Sequence, residues 1–433
     1  MTGAGFGSQK EKNKKMVKVS VVIPVYNVER FLPACLNSVL GQSLKDIEIL
    51  CIDDASPDRC PEILDDYAGK DPRIRVFHLP ENHRQGYARN LGIRNAEGKY
   101  IYLLDSDDLI DPDALEALYQ LAEQDDLDAV FFDGKTIFES EELQKKFSSA
   151  LDLRTGVYPE GVVKGQDLFT AFVEQNEWVV FIQREFWNRE YLLREEIFFP
   201  EEAEHEDQFF SIAGLLGAEK VRYIRRDYFT HRFREDSVMT SKPAPKNFHG
   251  YFVNLYRLID YIRRHNIQCE AADRTIRNLF SVMLSLKTVF MEEENRAAWF
   301  KKQGLENEYI FFEYLMKEQE RRTEEDKCLF APLSEYSNIN IYGAGVIAGK
   351  VFSRLNAADF IVDNFIVSRK EGNPDYFRGR KVFSIQEYNH SENDIVLVAM
   401  AKGNHEEVSK RLQERRIPHF LYANNILEGP ICP

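Results

Sequence analysis

At 433 residues the chain is long enough for two or three domains, and at 44% hydrophobic it can bury substantial cores. A formal net charge of -15 argues against a general nucleic-acid binder. No run approaches the roughly 18 uncharged apolar residues a bilayer-spanning helix needs.

The first stretch, residues 1–16, is polar and carries Lys10, Lys12, Lys14 and Lys15 without the apolar centre of a signal peptide. It reads as a disordered, cytoplasmic tail. Its lysines suit peripheral contact with an anionic membrane, although a solvated tail is the plainer reading. The six cysteines, Cys35, Cys51, Cys60, Cys269, Cys328 and Cys432, are scattered and show no C-x-x-C spacing. That pattern points to a reducing compartment with neither a disulfide framework nor structural zinc.

Lys18 to Asn27 (KVSVVIPVYN) is a β-branched run that predicts a strand, and Glu29 to Leu40 places apolar residues at helical spacing. Asp46 to Asp54 predicts a second strand ending in paired Asp53 and Asp54. A short helix over 61–67 and a third strand over 74–79 follow. Asn82 to Gly98 reads as a loop leading into a helix. Tyr100 to Leu104 is a fourth strand, stopping at Asp105, Asp107 and Asp108, after which Asp111 and Pro112 open a helix. Strands alternating with helices imply a mainly parallel sheet covered on both faces, with ligands beyond the carboxyl ends of the strands. Three polar clusters meet at that rim: Pro24 to Asn27, Asp53 with Asp54, and Asp105 to Asp108. Crowded carboxylates call for a cation, and a hard ion such as Mg²⁺ or Mn²⁺ holding phosphate oxygens suits them. No glycine-rich phosphate loop follows the first strand.

KVSVVIPVYN, ILCIDDASPD, NHRQGYARNLG and YLLDSDD together resemble motifs of the family-2 glycosyltransferases of the GT-A fold. Phe198 to Phe210 resembles the family's acceptor-side motif, and His231 to Ser237 its Arg-x-x-Ser closure. The likeness runs over roughly residues 17–240; Arg84 stands where the family usually has glycine. The resemblance implies that Pro24, Tyr26, Asp54, Arg89, Asp105 and Ser106 serve the donor nucleotide, Tyr26 lying against a base that Asp54 would favour as uracil. It implies a Mn²⁺ or Mg²⁺ site at Asp107 or Asp108, left open between the two, with His231 as a further ligand. Asp207 would be the general base, with Glu206 beside it as the other candidate. Trp178 and Trp187 suit stacking on a sugar ring or, more readily, the core. His205 reads as a loop residue.

Residues 243–333 read as a helical connector, apolar on one face and charged on the other. Residues 334–433 read as a second, smaller α/β unit resembling the Rossmann-like domains appended to bacterial sugar transferases. There Gly343, Gly345 and Asp363, the last at a strand end, approximate a dinucleotide fingerprint. A structural or weakly nucleotide-binding module is favoured over a working NAD site. The expectation is thus an α/β GT-A domain (17–242) moving a sugar from a nucleotide-diphospho-sugar, with UDP favoured. The acceptor would be a glycan or lipid-linked saccharide in bacterial surface polysaccharide synthesis. The rivals are a non-catalytic nucleotide-sugar or glycan binding module with a regulatory C-terminal domain, and a dehydrogenase led by Gly343 to Asp363.

Overall fold

The computed structural model describes residues 16–147, 154–201, 203–234, 245–286, 293–302, 304, 306–400 and 404–423. The tail before Met16 and Ser237 of the closure motif lie outside them. The chain divides into two compact units, 1–295 and 296–433.

The first unit runs β1 (Val19–Val25), α1 (Leu32–Leu40), β2 (Ile47–Asp53), α2 (Cys60–Lys70), β3 (Ile74–His78), α3 (Arg84–Asn95), β4 (Tyr100–Leu103), β5 (Leu109–Ile110), α4 (Ala114–Asp125), β6 (Ala129–Phe138), α5 (Glu141–Phe147), α6 (Gly165–Glu174), β7 (Glu185–Asn188), α7 (Arg189–Arg194), α8 (Asp207–Gly217), β8 (Val221–Phe233), α9 (Pro245–Arg264) and α10 (Glu270–Ser285). Its sheet has the order β3-β2-β1-β4-β7-β6-β8-β5. The four strands from β3 to β4 are parallel, and β7 is antiparallel to both of its neighbours, β4 and β6. β1 and β2 are buried along their whole length, so they read as unbroken apolar runs instead of alternating ones.

A core lies on each face. Val22, Leu50 and Leu103 pack with Ile93 of α3, Phe169 of α6 and Phe210 of α8. Val21, Ile23, Ile49 and Cys51 pack with Leu36 of α1, Leu64 of α2 and Leu118 of α4. Gly92 lets α3 lie directly on β1: a Cβ there would stand 2.2 Å from Val22 Cγ1. Trp187 is fully buried, and Trp178 packs edge-on against Phe169, so the core reading of both tryptophans holds. α4 begins at Ala114 and not at Asp111 and Pro112; the Asp111 carboxylate instead faces Lys135 at 3.4 Å.

The second unit comprises α11 (Glu293–Lys302, spanning the division), α12 (Glu306–Phe330), β9 (Asn338–Tyr342), α13 (Val346–Ala357), β10 (Val362–Val367), β11 (Tyr376–Phe377), β12 (Arg380–Ser384), β13 (Asp394–Val398), α14 (His405–Glu414) and β14 (Phe420–Tyr422). Its six-stranded sheet, β11-β12-β10-β9-β13-β14, is parallel except for β11. Gly343 leaves β9 at φ +125, and Gly345 precedes α13. The structure corrects the position of Asp363. It lies at the opening of β10, not at its close, and its carboxylate accepts the Ile339 N–H at 2.8 Å. Since β9 and β10 are parallel, Asp363 and the Gly343 turn sit at opposite ends of the pair, and the fingerprint does not assemble.

Candidate active site

Because β1, β2 and β4 are parallel and in register, Val25 lies beside Asp53 and Val22 beside Leu103, and the three strand ends share one rim. Pro24 is buried within β1, whereas Tyr26 just beyond it is 48% exposed, its ring free to lie against a flat ligand. The turn residues Asn27 and Ala55 have positive φ, at 55° and 57°. Asp53 is taken up by the scaffold: Oδ1 accepts the Ser56 N–H at 3.1 Å, and Oδ2 lies 2.8 Å from His78 Nδ1.

Asp54 is buried, and both its oxygens are in use: Oδ1 accepts the His83 N–H at 2.7 Å and Oδ2 the Arg84 N–H at 2.8 Å. It therefore holds the first turn of α3, whose end carries orphan N–H groups. Each oxygen keeps a further lone pair for a ligand. Arg84 has φ +72, which accounts for the family's glycine at this place.

Arg89, at 3% side-chain exposure, forms the central contact. Its Nη2 donates to Asp105 Oδ1 at 2.8 Å, and its Nη1 donates to Glu206 Oε1 at 2.6 Å. Gln183 Nε2 donates to the other Asp105 oxygen at 2.6 Å. Asp105 is thus held from both sides. The guanidinium joins the carboxylate ending β4 to the pair of acids opening α8, which lie about a hundred residues further along the chain. Ser106 and Asp108 are buried.

Asp107 Oδ2 accepts from Arg234 Nε at 2.7 Å, and Asp108 Oδ1 accepts the Arg232 N–H at 2.7 Å. Burial, with the charges of Asp107 and Asp105 behind it, pushes the Asp108 carboxyl well above the usual range. His231 on β8 packs edge-on to Phe181, and burial lowers its pKa, which favours the neutral ring a metal ligand requires. Among the described residues no three His, Cys, Asp or Glu side chains form a ready-made metal cage. A divalent ion that also takes substrate phosphates needs only one or two protein carboxylates. The oxygen donors of Asp107 and Asp108, crowded with Asp105, fit such an ion.

At the start of α8 Glu206 is tied to Arg89, and burial raises its pKa against that guanidinium. Asp207 is the first residue of α8. Burial and then the charge of Glu206 push its carboxyl up to about 7, with Arg89 opposing. Phe209 and Phe210 turn into the core, leaving this acid pair at the helix mouth.

Of the residues picked from sequence, the structure brings Asp105, Arg89, Glu206 and Asp207 into one cluster, and Asp107, Asp108 and His231 into another beside it. Tyr26 and Asp54 stand on the same rim. Sequence reasoning gave no role to Gln183, Arg232 or Arg234. Gln183 has no local signature, whereas Arg234 is the arginine of the Arg-x-x-Ser motif and was visible there.

A parallel α/β sheet with an antiparallel strand inserted after β4, acids at the strand ends and a second acid pair on a following helix define a domain of the GT-A fold. Residues 20–183 match the family model for glycosyl transferase family 2. The chain is 33% identical over 235 residues to the glycosyltransferase EpsJ of Bacillus subtilis, covering 52% of this chain and 64% of EpsJ. It is 31% identical over 223 residues to the glycosyltransferase GlyA of Streptococcus pneumoniae, covering 51% of this chain and 31% of GlyA. The chain thus spans less than two thirds of the length of either relative. Among solved structures, S. aureus TarS 1–349 in complex with UDP-GlcNAc aligns at 20% identity and a TM-score of 0.49, over 66% of this chain and 79% of that one.

Proposed function

We propose that the chain is a metal-dependent, inverting glycosyltransferase that moves a sugar from a nucleotide-diphospho-sugar, with UDP favoured, to an acceptor hydroxyl. The acceptor is a glycan or lipid-linked saccharide of bacterial surface polysaccharide synthesis, met in the cytoplasm or at the inner face of the membrane. The observation that carries the reading is the Arg89 bridge between Asp105 and Glu206. One buried cation ties a donor-side acid to the acceptor-side pair, an arrangement suited to reaction between two bound molecules.

In this reading Tyr26 and Asp54 take the base and Asp105 the ribose. Asp107 and Asp108, with His231, would hold Mn²⁺ or Mg²⁺, and the ion would neutralise charge on the diphosphate. Asp207 removes the acceptor's proton as the new bond forms. A carboxyl near pH 7 is well matched to that task, since an effective base has its pKa near the working pH. Glu206, neutralised by Arg89, is the poorer base.

A non-catalytic nucleotide-sugar or glycan binding module would need Asp54 and Asp105 but would have no use for a carboxyl poised at Asp207. The test is release of free UDP from a panel of UDP-sugars with Mn²⁺, with and without candidate acceptors. Binding without UDP release from any donor would favour the module.

A further inference from the structure

The turn 204–207 presents Asp207, yet little in the turn itself explains why it holds its shape. His205 sits at φ +60, in the left-handed region that residues with a Cβ seldom occupy. Arg89 fixes Glu206 from α3 but makes no hydrogen bond to Asp207. Arg84 of α3 stands 4.0 Å from Glu204, and the Gln208 N–H donates to the His205 carbonyl at 3.0 Å. A further set of restraints comes from one helix, α9, which lies outside residues 20–183.

Five consecutive contacts run along the face of α9. Lys246 Nζ meets Glu204 Oε1 at 3.0 Å. Asn247 Nδ2 meets His205 Nε2 at 3.1 Å. Gly250 lies so close to the turn that a Cβ there would stand 2.2 Å from the Glu204 carbonyl oxygen. The Tyr251 ring stacks on His205 with centroids 4.6 Å apart. Asn254 is buried; its Oδ1 accepts the Phe209 N–H at 3.1 Å, and its Nδ2 donates to the carbonyls of Glu204 (3.3 Å) and Gly250 (2.7 Å). Asn254 thereby satisfies one of the orphan N–H groups at the start of α8 and staples the turn before it.

We propose that α9 is the positioning element of the acceptor side: Asn254 and Tyr251 hold the 204–207 turn, with His205 in the left-handed region, against the start of α8 and thereby set the direction of the Asp207 carboxylate. This rests on reading Asp207 as the base. Asn254 and Tyr251 are positioning residues that act through the turn. Their loss should therefore affect the chemical step and spare the donor, whose contacts lie on the β1, β2 and β4 rim.

The test uses the full chain with Asn254→Ala, and Tyr251→Leu as a second variant should the first not fold. Amide exchange over residues 205–209 should quicken at least tenfold, and kcat for transfer should fall roughly 10- to 100-fold, as a misplaced reacting group does. UDP affinity and the KM for donor should stay within about twofold of wild type, and the pH–rate limb should move below that of wild type as Asp207 reaches water. A folded variant with wild-type exchange and wild-type kcat would overturn the proposal, as would a loss carried by donor KM. If exchange quickens but the wild-type protein transfers sugar from no donor, the clamp stands and the assignment of Asp207 as base falls.

Discussion

Replacing Asp207 with asparagine should make the protein more stable while all but abolishing transfer. The side chain keeps its shape and loses its charge. Burial and the neighbouring Glu206 push this carboxyl from 3.8 to about 7, so the folded protein resists ionising it. At about 1.4 kcal/mol for each unit of pKa, the cost of holding the charged form above pH 7 is ~4 kcal/mol. Because Glu206 and Arg89 share the titration, ~2 kcal/mol is the lower figure. The sign follows from proton counting. Between pH 4 and 7 the folded state keeps a proton that the unfolded chain has released, so stability falls as pH rises through that window and is flat above it. Denaturant titrations of both proteins from pH 4 to pH 8 should therefore diverge, with Asp207→Asn ahead by ~2–4 kcal/mol at pH 8 and nearly level at pH 4. Transfer by the wild type should rise with pH, half-maximal near pH 7 and level above about pH 8, and the variant should lose roughly 10²–10⁴-fold in kcat, as expected for a missing general base. A variant less stable than wild type at pH 8, or one transferring at near wild-type rate, would refute the reasoning.

Four other outcomes are expected. Glu206→Gln should lose less activity than Asp207→Asn; if it is the dead variant of the two, their roles are exchanged. Asp107→Asn should make UDP binding, followed by calorimetry, insensitive to Mn²⁺, and full wild-type activity in excess EDTA would remove the metal from the scheme. Arg84→Gly relieves a left-handed residue worth ~1–2 kcal/mol and adds ~0.5–1 kcal/mol of chain entropy, so the melting point should hold or rise slightly; a fall of several degrees would show that the arginine side chain matters more than its backbone. Gly92→Ala should destabilise by roughly 1–3 kcal/mol in a denaturant titration, because its methyl enters space filled by Val22; an unchanged midpoint would mean that α3 can ride up off β1 without loss.

Local pattern carried much of the strand-end rim. The runs around Val22 and Leu50 are apolar because both faces of their strands are covered, and the acids at Asp54 and Asp105 stand where such strands must end. Position along the chain misled where the signal was only spacing. Asp363 lies twenty residues after Gly343 but enters its strand instead of leaving it, and only pairing with Ile339 reveals which end it occupies. The Arg89 bridge could not be read at all, since its partners Asp105 and Glu206 come from distant segments and no rule of spacing joins them. The same holds for Gln183 on Asp105 and for Asn254 on the start of α8. Each is a polar side chain with no local peculiarity, given its role by what the fold sets against it.

The antiparallel insertion of β7 also bears on how the chain is made. β3, β2, β1 and β4 are complete once residue 103 has been synthesised. The free edge of β4 must then wait for Glu185–Asn188, which covers it through the pairs Tyr100 with Asn188, Ile101 with Trp187 and Tyr102 with Phe186. At about 5–20 residues per second that wait lasts on the order of 4–16 seconds on the ribosome. During it an apolar strand lined by two tyrosines and an isoleucine offers unpaired backbone to any other extended chain. Nascent chains arrested between β4 and β7 are therefore the stage at which a trigger-type holdase would matter most, and slow codons between them would lengthen the exposure.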